Sequence, residues 1–140
     1  IINTEWGAFG EHGELNDFHT PIDDEIDLSS INPGHQIFEK MVSGMYIGDI
    51  ARLLIIKAGE SGLLFNRKVP VALTQYGSFP TAMVSLSYEE DAFIPKFEST
   101  FGYLLDSLEY CTLATICDAV SRRSAGLCAA GLVAILKRIS

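Results

Sequence analysis

Eighteen carboxylates, three histidines and three cysteines are the side chains of this sequence able to hold a metal, attack an electrophile or carry a proton. Their spacing excludes most of those uses. His12, His19 and His35 have no metal-like spacing and read as solvated side chains. Cys111, Cys117 and Cys128 are odd in number, contain no CxxC pair and sit in an apolar stretch, so buried free thiols fit better than a disulfide frame or a zinc site. Gly7 and Gly10 make a GxxG without the further glycines and lysine of a phosphate loop. The acidic run of Glu11, Glu14, Asp17, Asp23, Asp24, Glu25 and Asp27 lacks EF-hand spacing and reads as a solvated loop, with a Ca²⁺ site as the lesser alternative. By residue type alone Glu5 and Glu39 are two acids among eighteen, and solvated carboxylates are the ordinary case.

The elements that must position any such group follow from the pattern of apolar residues. With 48% hydrophobic and 20% charged residues, the 140-residue chain reads as one globular unit. Its formal charge of -8 repels phosphate backbones, which excludes nucleic acid as a partner. Ile1 to Phe9, apolar and punctuated by Gly7 and Gly10, predicts a strand running into a turn. Asn32 before Pro33 predicts a helix start, and Ile37, Met41, Ile47, Ile50, Ala51 and Leu54 recur at helical intervals, with a break at Gly44 and a stop near Ser61 and Gly62. Leu63 to Tyr76 reads as a short helix or an irregular segment between turns, and Thr81 to Glu90 and Pro95 to Leu108 read as two shorter helices.

Tyr110 to Ile139 predicts the strongest helix, with a stripe of small residues that lets a neighbouring backbone approach. Its nearly uncharged run, Ser124 to Leu136, is about 13 residues against the roughly 20 a membrane span needs, so a core helix and no membrane-spanning segment are expected. The chain opens on Ile1 and Ile2 with no initiator Met and no visible targeting pattern, and is expected to be an excerpt of a longer polypeptide. The reduced cysteines point to a cytoplasmic protein.

Two strings carry a resemblance. Asn3-Thr4-Glu5-Trp6-Gly7-Ala8-Phe9-Gly10 resembles the NTEWGAFG segment of eukaryotic hexokinases, and the run from Asn32-Pro33-Gly34 through Gln36, Phe38-Glu39-Lys40-Met41-Val42-Ser43-Gly44-Met45-Tyr46 to Gly48 resembles that family's NPG-Q-FEKMVSGMYLG helix. Arg52-Leu53-Leu54, Gly62-Leu63-Leu64-Phe65 and Ser121-Arg122-Arg123-Ser124-Ala125 follow the family's order, while Val69 to Ser107 matches only loosely.

The resemblance implies an α/β protein: residues 1–140 as part of the large lobe of an actin-like ATPase (RNase H-like) fold, mostly helical here with an N-terminal strand. It implies an ATP-dependent hexose kinase using Mg²⁺, with glucose as the first-choice sugar and other hexoses or N-acetylglucosamine as alternatives. On matching positions Glu5 and Glu39 fall on the family's sugar-binding glutamates, with Gln36 beside Glu39, and Asn3 supports the turn. A carboxylate accepts hydrogen bonds from adjacent hydroxyls, which is the chemistry such a site needs. Trp6 could stack on a sugar, but core packing is the favoured reading. The family's nucleotide contacts fall on Gly44, Met45 and Gly77, although Gln75-Tyr76-Gly77 stands where many relatives have Thr-Arg-Gly. The family's general base, first phosphate loop and adenosine segment lie outside these residues, so no catalytic residue and no metal ligand is assigned, and the missing parts of the same enzyme are expected partners. A non-catalytic, hexokinase-like sugar sensor is the alternative reading.

Overall fold

The computed structural model describes residues 4–139, and among them there are helices and turns but no strand. The strand expected over Ile1 to Phe9 is not formed there. Ile1 to Asn3 lie outside the described residues, and Trp6–Ala8 close a 3₁₀ turn through Ala8 N–H to the Glu5 carbonyl and Phe9 N–H to that of Trp6. No neighbouring strand is present among the described residues to take up the ladder hydrogen bonds, so a local turn satisfies these groups instead.

Six helices follow: α1 (Pro21–Ser29), α2 (Ile37–Val42), α3 (Gly44–Ser61), α4 (Thr81–Leu86), α5 (Glu90–Phe101) and α6 (Ser107–Ile139). The first falls inside the stretch expected to be an acidic loop. Its signals are Pro21 in the first turn and Asp23, whose carboxylate accepts from both the Thr20 N–H (2.8 Å) and the Thr20 hydroxyl (2.7 Å). Ile22 and Ile26, four apart, bury its inner face. Asp23 is itself buried and takes a two-pronged bond from Arg123 of α6, at 2.9 and 2.8 Å.

The helix expected from Pro33 begins only at Ile37, because Gln36 adopts a left-handed conformation (φ 55, ψ 43). The expected break near Gly44 is real: Ser43 is extended, and its hydroxyl caps α3 by accepting from Met45 N–H. Gly62 (φ 93) ends α3 in the left-handed region, as its residue type predicts. The irregular reading of Leu63 to Tyr76 also holds, with 3₁₀ turns at Phe65–Arg67 and Val71–Thr74.

The main core gathers around α3, whose Ile50, Ala51, Leu53 and Ile55 are buried against α4, α6 and α1. Phe93, Phe97 and Phe101 lie one turn apart on α5 and meet Phe65, Phe79 and Tyr110, with ring centroids 4.7–6.4 Å apart. This face explains why α5 starts at Glu90 rather than at Pro95. Burying Phe93 contributes roughly 1.5–3 kcal/mol, enough to offset much of the cost of about 3 kcal/mol for a proline inside a helix. A smaller cluster of Leu15, Phe38 and Met41 lies beside the main one, with Trp6 and Leu127 packed on it.

The last helix divides in two. Tyr110, Leu113, Cys117, Val120 and Ser124 are buried, whereas Leu132, Val133, Leu136 and Ile139 are about half exposed or more. The run from Ser124 to Leu136 is therefore not core among the described residues, and only Ser124 within it is buried. By length and composition alone α6 is long and apolar enough to cross a membrane. Of the three thiols, Cys117 is buried, with its acidity suppressed to a value of about 11 by that burial, while Cys111 is exposed rather than buried.

This packing separates two phenylalanine-sized effects. Phe97→Ala should cost about 3–5 kcal/mol in urea denaturation, while Leu132→Ala should change stability by less than about 0.5 kcal/mol. Equal costs would mean that the core is misplaced.

Candidate functional site

Two chain segments meet at Gly7: the turn that follows Glu5, and the start of α2 with Gln36 and Glu39. Glu5 opens the first turn in a left-handed conformation (φ 44, ψ 30), and Gln36 caps α2 in another. Such backbone is costly for residues other than glycine and persists only where the surroundings hold it. Gly7 is the pivot. A methyl group added there would strike the Gln36 side-chain oxygen and come within 3.4 Å of a Glu39 carboxylate oxygen, so only glycine leaves both polar groups in place. The Phe38 N–H donates to the Phe9 carbonyl (3.0 Å), and the Trp6 ring packs on Phe38 at 5.3 Å. Trp6 is thus a packing residue, as its type predicts, and its six-membered ring also lies against Gly131 of α6. Glu5 and Glu39 remain exposed and Gln36 half-buried.

Beneath them, Lys40 is buried at 3% exposure and donates to Asp27 (2.6 Å) and to the Asn32 carbonyl (2.8 Å). Asp27 also accepts from the Gly34 N–H at 2.9 and 3.1 Å, tying down the Asn32-Pro33-Gly34 turn. Burial pushes the Asp27 carboxyl up, but the Lys40 ammonium and the Gly34 N–H outweigh it and hold the group below its ordinary value. Sequence reasoning missed this pair and placed Asp27 in a solvated loop. The missed signal was Lys40, a charged residue buried on a helix of only six residues.

The second group, Gly44, Met45 and Gly77, is brought to the start of α3. The Thr81 hydroxyl donates to the Gly44 carbonyl and accepts from the Gly48 N–H (3.1 Å). Gly48 lies so close to Phe79 and Thr81 that an added methyl would strike their backbones, whereas around Gly44 and Gly77 there is open space. Gly77 (φ 75) needs its glycine for the turn, and its N–H donates to Asp49 (3.0 Å). Asp49 and Arg52 form a buried pair at 2.6 Å, and Arg52 reaches the Leu73 and Thr74 carbonyls as well. Thr81, Asp49 and Arg52 are therefore the supports of this end, and none was singled out from sequence as such. Met45 is exposed. Among the described residues no three His, Cys, Asp or Glu side chains group closely enough to hold a metal ion.

A sequence model of the family described as hexokinase matches residues 1–140. The chain belongs to the hexokinase family. It is 47% identical over 141 residues to hexokinase-2 of Rattus norvegicus and of Homo sapiens, and 43% identical to hexokinase-1 of Rattus norvegicus. In each case the alignment covers 99% of this chain and 15% of the relative's length. The hexokinase from Schistosoma mansoni complexed with glucose superposes with a TM-score of 0.90 at 34% identity, over 99% of this chain and 32% of that one. A second hexokinase crystal structure superposes at 0.82 and 28% identity, over 98% and 30%. The described helices are thus a hexokinase-like arrangement spanning about a seventh of the curated relatives' length.

Two consequences are measurable. Gly48→Ala should lower stability by about 1–3 kcal/mol, because backbone must move, while Gly44→Ala is tolerated in thermal melts. The Asp27 contribution has a depressed carboxyl, so it is fully present above the unfolded value and lost as pH falls through the folded one. The stability difference between the wild type and Asp27→Asn should therefore hold steady at neutral pH and shrink below about pH 4 in urea titrations.

Proposed function

We propose that this chain is part of the large domain of an ATP-dependent hexose kinase, which phosphorylates the 6-hydroxyl of glucose or a related hexose. Its contribution is one wall of the sugar pocket. The observation that carries the reading is the packing of Gln36 and Glu39 against Gly7, two residues after Glu5, in a chain of the hexokinase family. The likeness to a hexokinase complexed with glucose supports the choice of sugar. Two exposed carboxylates offer acceptors for neighbouring hydroxyls, and the Gln36 amide offers both a donor and an acceptor. A pocket of this kind discriminates against ligands that lack those hydroxyls, because its polar groups are then left unpaired.

ATP is assigned to the start of α3. Gly44 and Gly77, with open space around each, and the exposed Met45 let a nucleotide approach the backbone, and the start of the 18-residue α3 suits a phosphate. Mg²⁺ is assigned to the bound nucleotide's phosphates, and no residue of this chain is assigned to it. Nor is a general base assigned to any of its residues, so proton removal and most phosphate contacts fall to the remainder of the proposed enzyme, in which these residues form part of an α/β lobe. The free thiols support a reducing, cytoplasmic setting.

In the complete polypeptide, Glu5→Gln and Glu39→Gln should each lower kcat/KM for glucose roughly tenfold to a hundredfold, as befits charge-assisted bonds of about 1.5–3 kcal/mol. The 140-residue chain alone should form no sugar phosphate with MgATP, since positioning supplies most of phosphoryl transfer. Unchanged efficiency in both variants would sink the pocket assignment. Glucose binding without turnover in the complete polypeptide would select the sensor reading.

A further inference from the structure

We propose that Glu11 is a positioning residue for the sugar pocket, holding Gln36 in its left-handed conformation and through it setting the direction of Glu39. The proposal rests on the sugar-pocket reading of Gln36 and Glu39. Gln36 is not glycine, so its backbone (φ 55, ψ 43) needs an outside partner to persist. That partner is Glu11, 25 residues away in the chain, whose Oε1 accepts the Gln36 N–H at 2.7 Å. Its Oε2 stands 3.3 Å from His35 Nδ1, and the side chain is about four-fifths shielded from solvent. The Gln36 N–H, followed by His35 and His12, holds this carboxyl below its ordinary range, so it stays an anion at neutral pH.

Gln36 is also the residue whose carbonyl accepts the first backbone bond of α2, from Lys40 N–H at 3.1 Å. Turning Gln36 therefore swings the first turn of α2, on which Glu39 sits. The rest of the region is held without Glu11: Asp27 binds Gly34 and Lys40, and Phe9 accepts from Phe38. Removing Glu11 thus frees Gln36 while leaving the surrounding structure tied.

The test uses the complete polypeptide, with KM and kcat measured separately for glucose and ATP in Glu11→Ala, Glu11→Asp and Glu39→Ala. Glu11→Asp keeps the charge but is one methylene too short to reach the Gln36 N–H, so it carries the test even if Glu11→Ala folds poorly. Both Glu11 variants should raise the glucose KM roughly tenfold or more, as a sub-ångström to ångström misplacement of sugar ligands does, with the ATP KM within about twofold of wild type. A Glu11→Asp enzyme indistinguishable from wild type, or one whose two KM values rise together, overturns the inference while Glu39→Ala still weakens glucose. If Glu39→Ala itself leaves glucose KM and kcat unchanged, the sugar-pocket reading fails instead.

Discussion

The buried ammonium of Lys40 is the interaction on which the geometry of α2 and the turn before it depends. It lies on a helix of six residues, too short to hold itself together, since an isolated helix needs about 12–15 residues to be even marginal in water. A charge at 3% exposure is costly unless it is fully partnered, and here a carboxylate and a carbonyl meet it at 2.6 and 2.8 Å. The same partners reach back to the turn at 32–34, so α2 and the loop before it are fixed by one desolvated centre. Phe38 and Met41 bury the neighbouring face, and Glu39, between them in sequence, is left pointing to solvent. An exposed carboxylate next to a buried, structural cation is the arrangement that this segment achieves.

The two polar ends share a scaffold. α2 and α3 are separated by the single extended residue Ser43, whose hydroxyl caps the second helix, so Gln36 and Glu39 on one side and Gly44 and Met45 on the other are carried on nearly continuous helical backbone. Behind α3, Asp49 and Arg52 do for the turn at 73–77 what Asp27 and Lys40 do for the turn at 32–34: a buried ion pair collects backbone groups of an otherwise unsupported loop. In both places removal of one partner leaves an uncompensated charge, a loss of about 3–5 kcal/mol, so the loops are tied to the stability of the fold. α6 is tied to α1 through Arg123 on Asp23 and to α2 through the Ser124 hydroxyl on the Val42 carbonyl.

Helices with a long apolar period were legible in the sequence: α3 and α6 come within a few residues of expectation, and so do the break at Ser43 and the glycine stop at Gly62. The α1 helix was not, because its acidic surface hid a two-residue apolar face, Ile22 and Ile26, and the proline start before it. The late start of α2 has a different origin. It comes from Gln36 being held left-handed by Glu11, a contact 25 residues away that no local pattern announces. Over the described part of the expected strand, residues 4–9, a 3₁₀ turn is formed instead, and the outer half of α6 lacks the cover that a core reading presupposed. Glu5, Gln36, Glu39, Gly44, Met45 and Gly77 were located by resemblance to a family motif; the residues that support them became visible only in three dimensions.

The central claim is the proposal that Glu5 and Glu39 together form one wall of a hexose pocket. A crystal structure of the complete polypeptide with glucose tests it most directly. The account predicts sugar hydroxyl oxygens about 2.5–3.0 Å from both carboxylates, with Gln36 beside them in its left-handed conformation. Glucose bound elsewhere, with Glu5 and Glu39 both facing solvent, would contradict it.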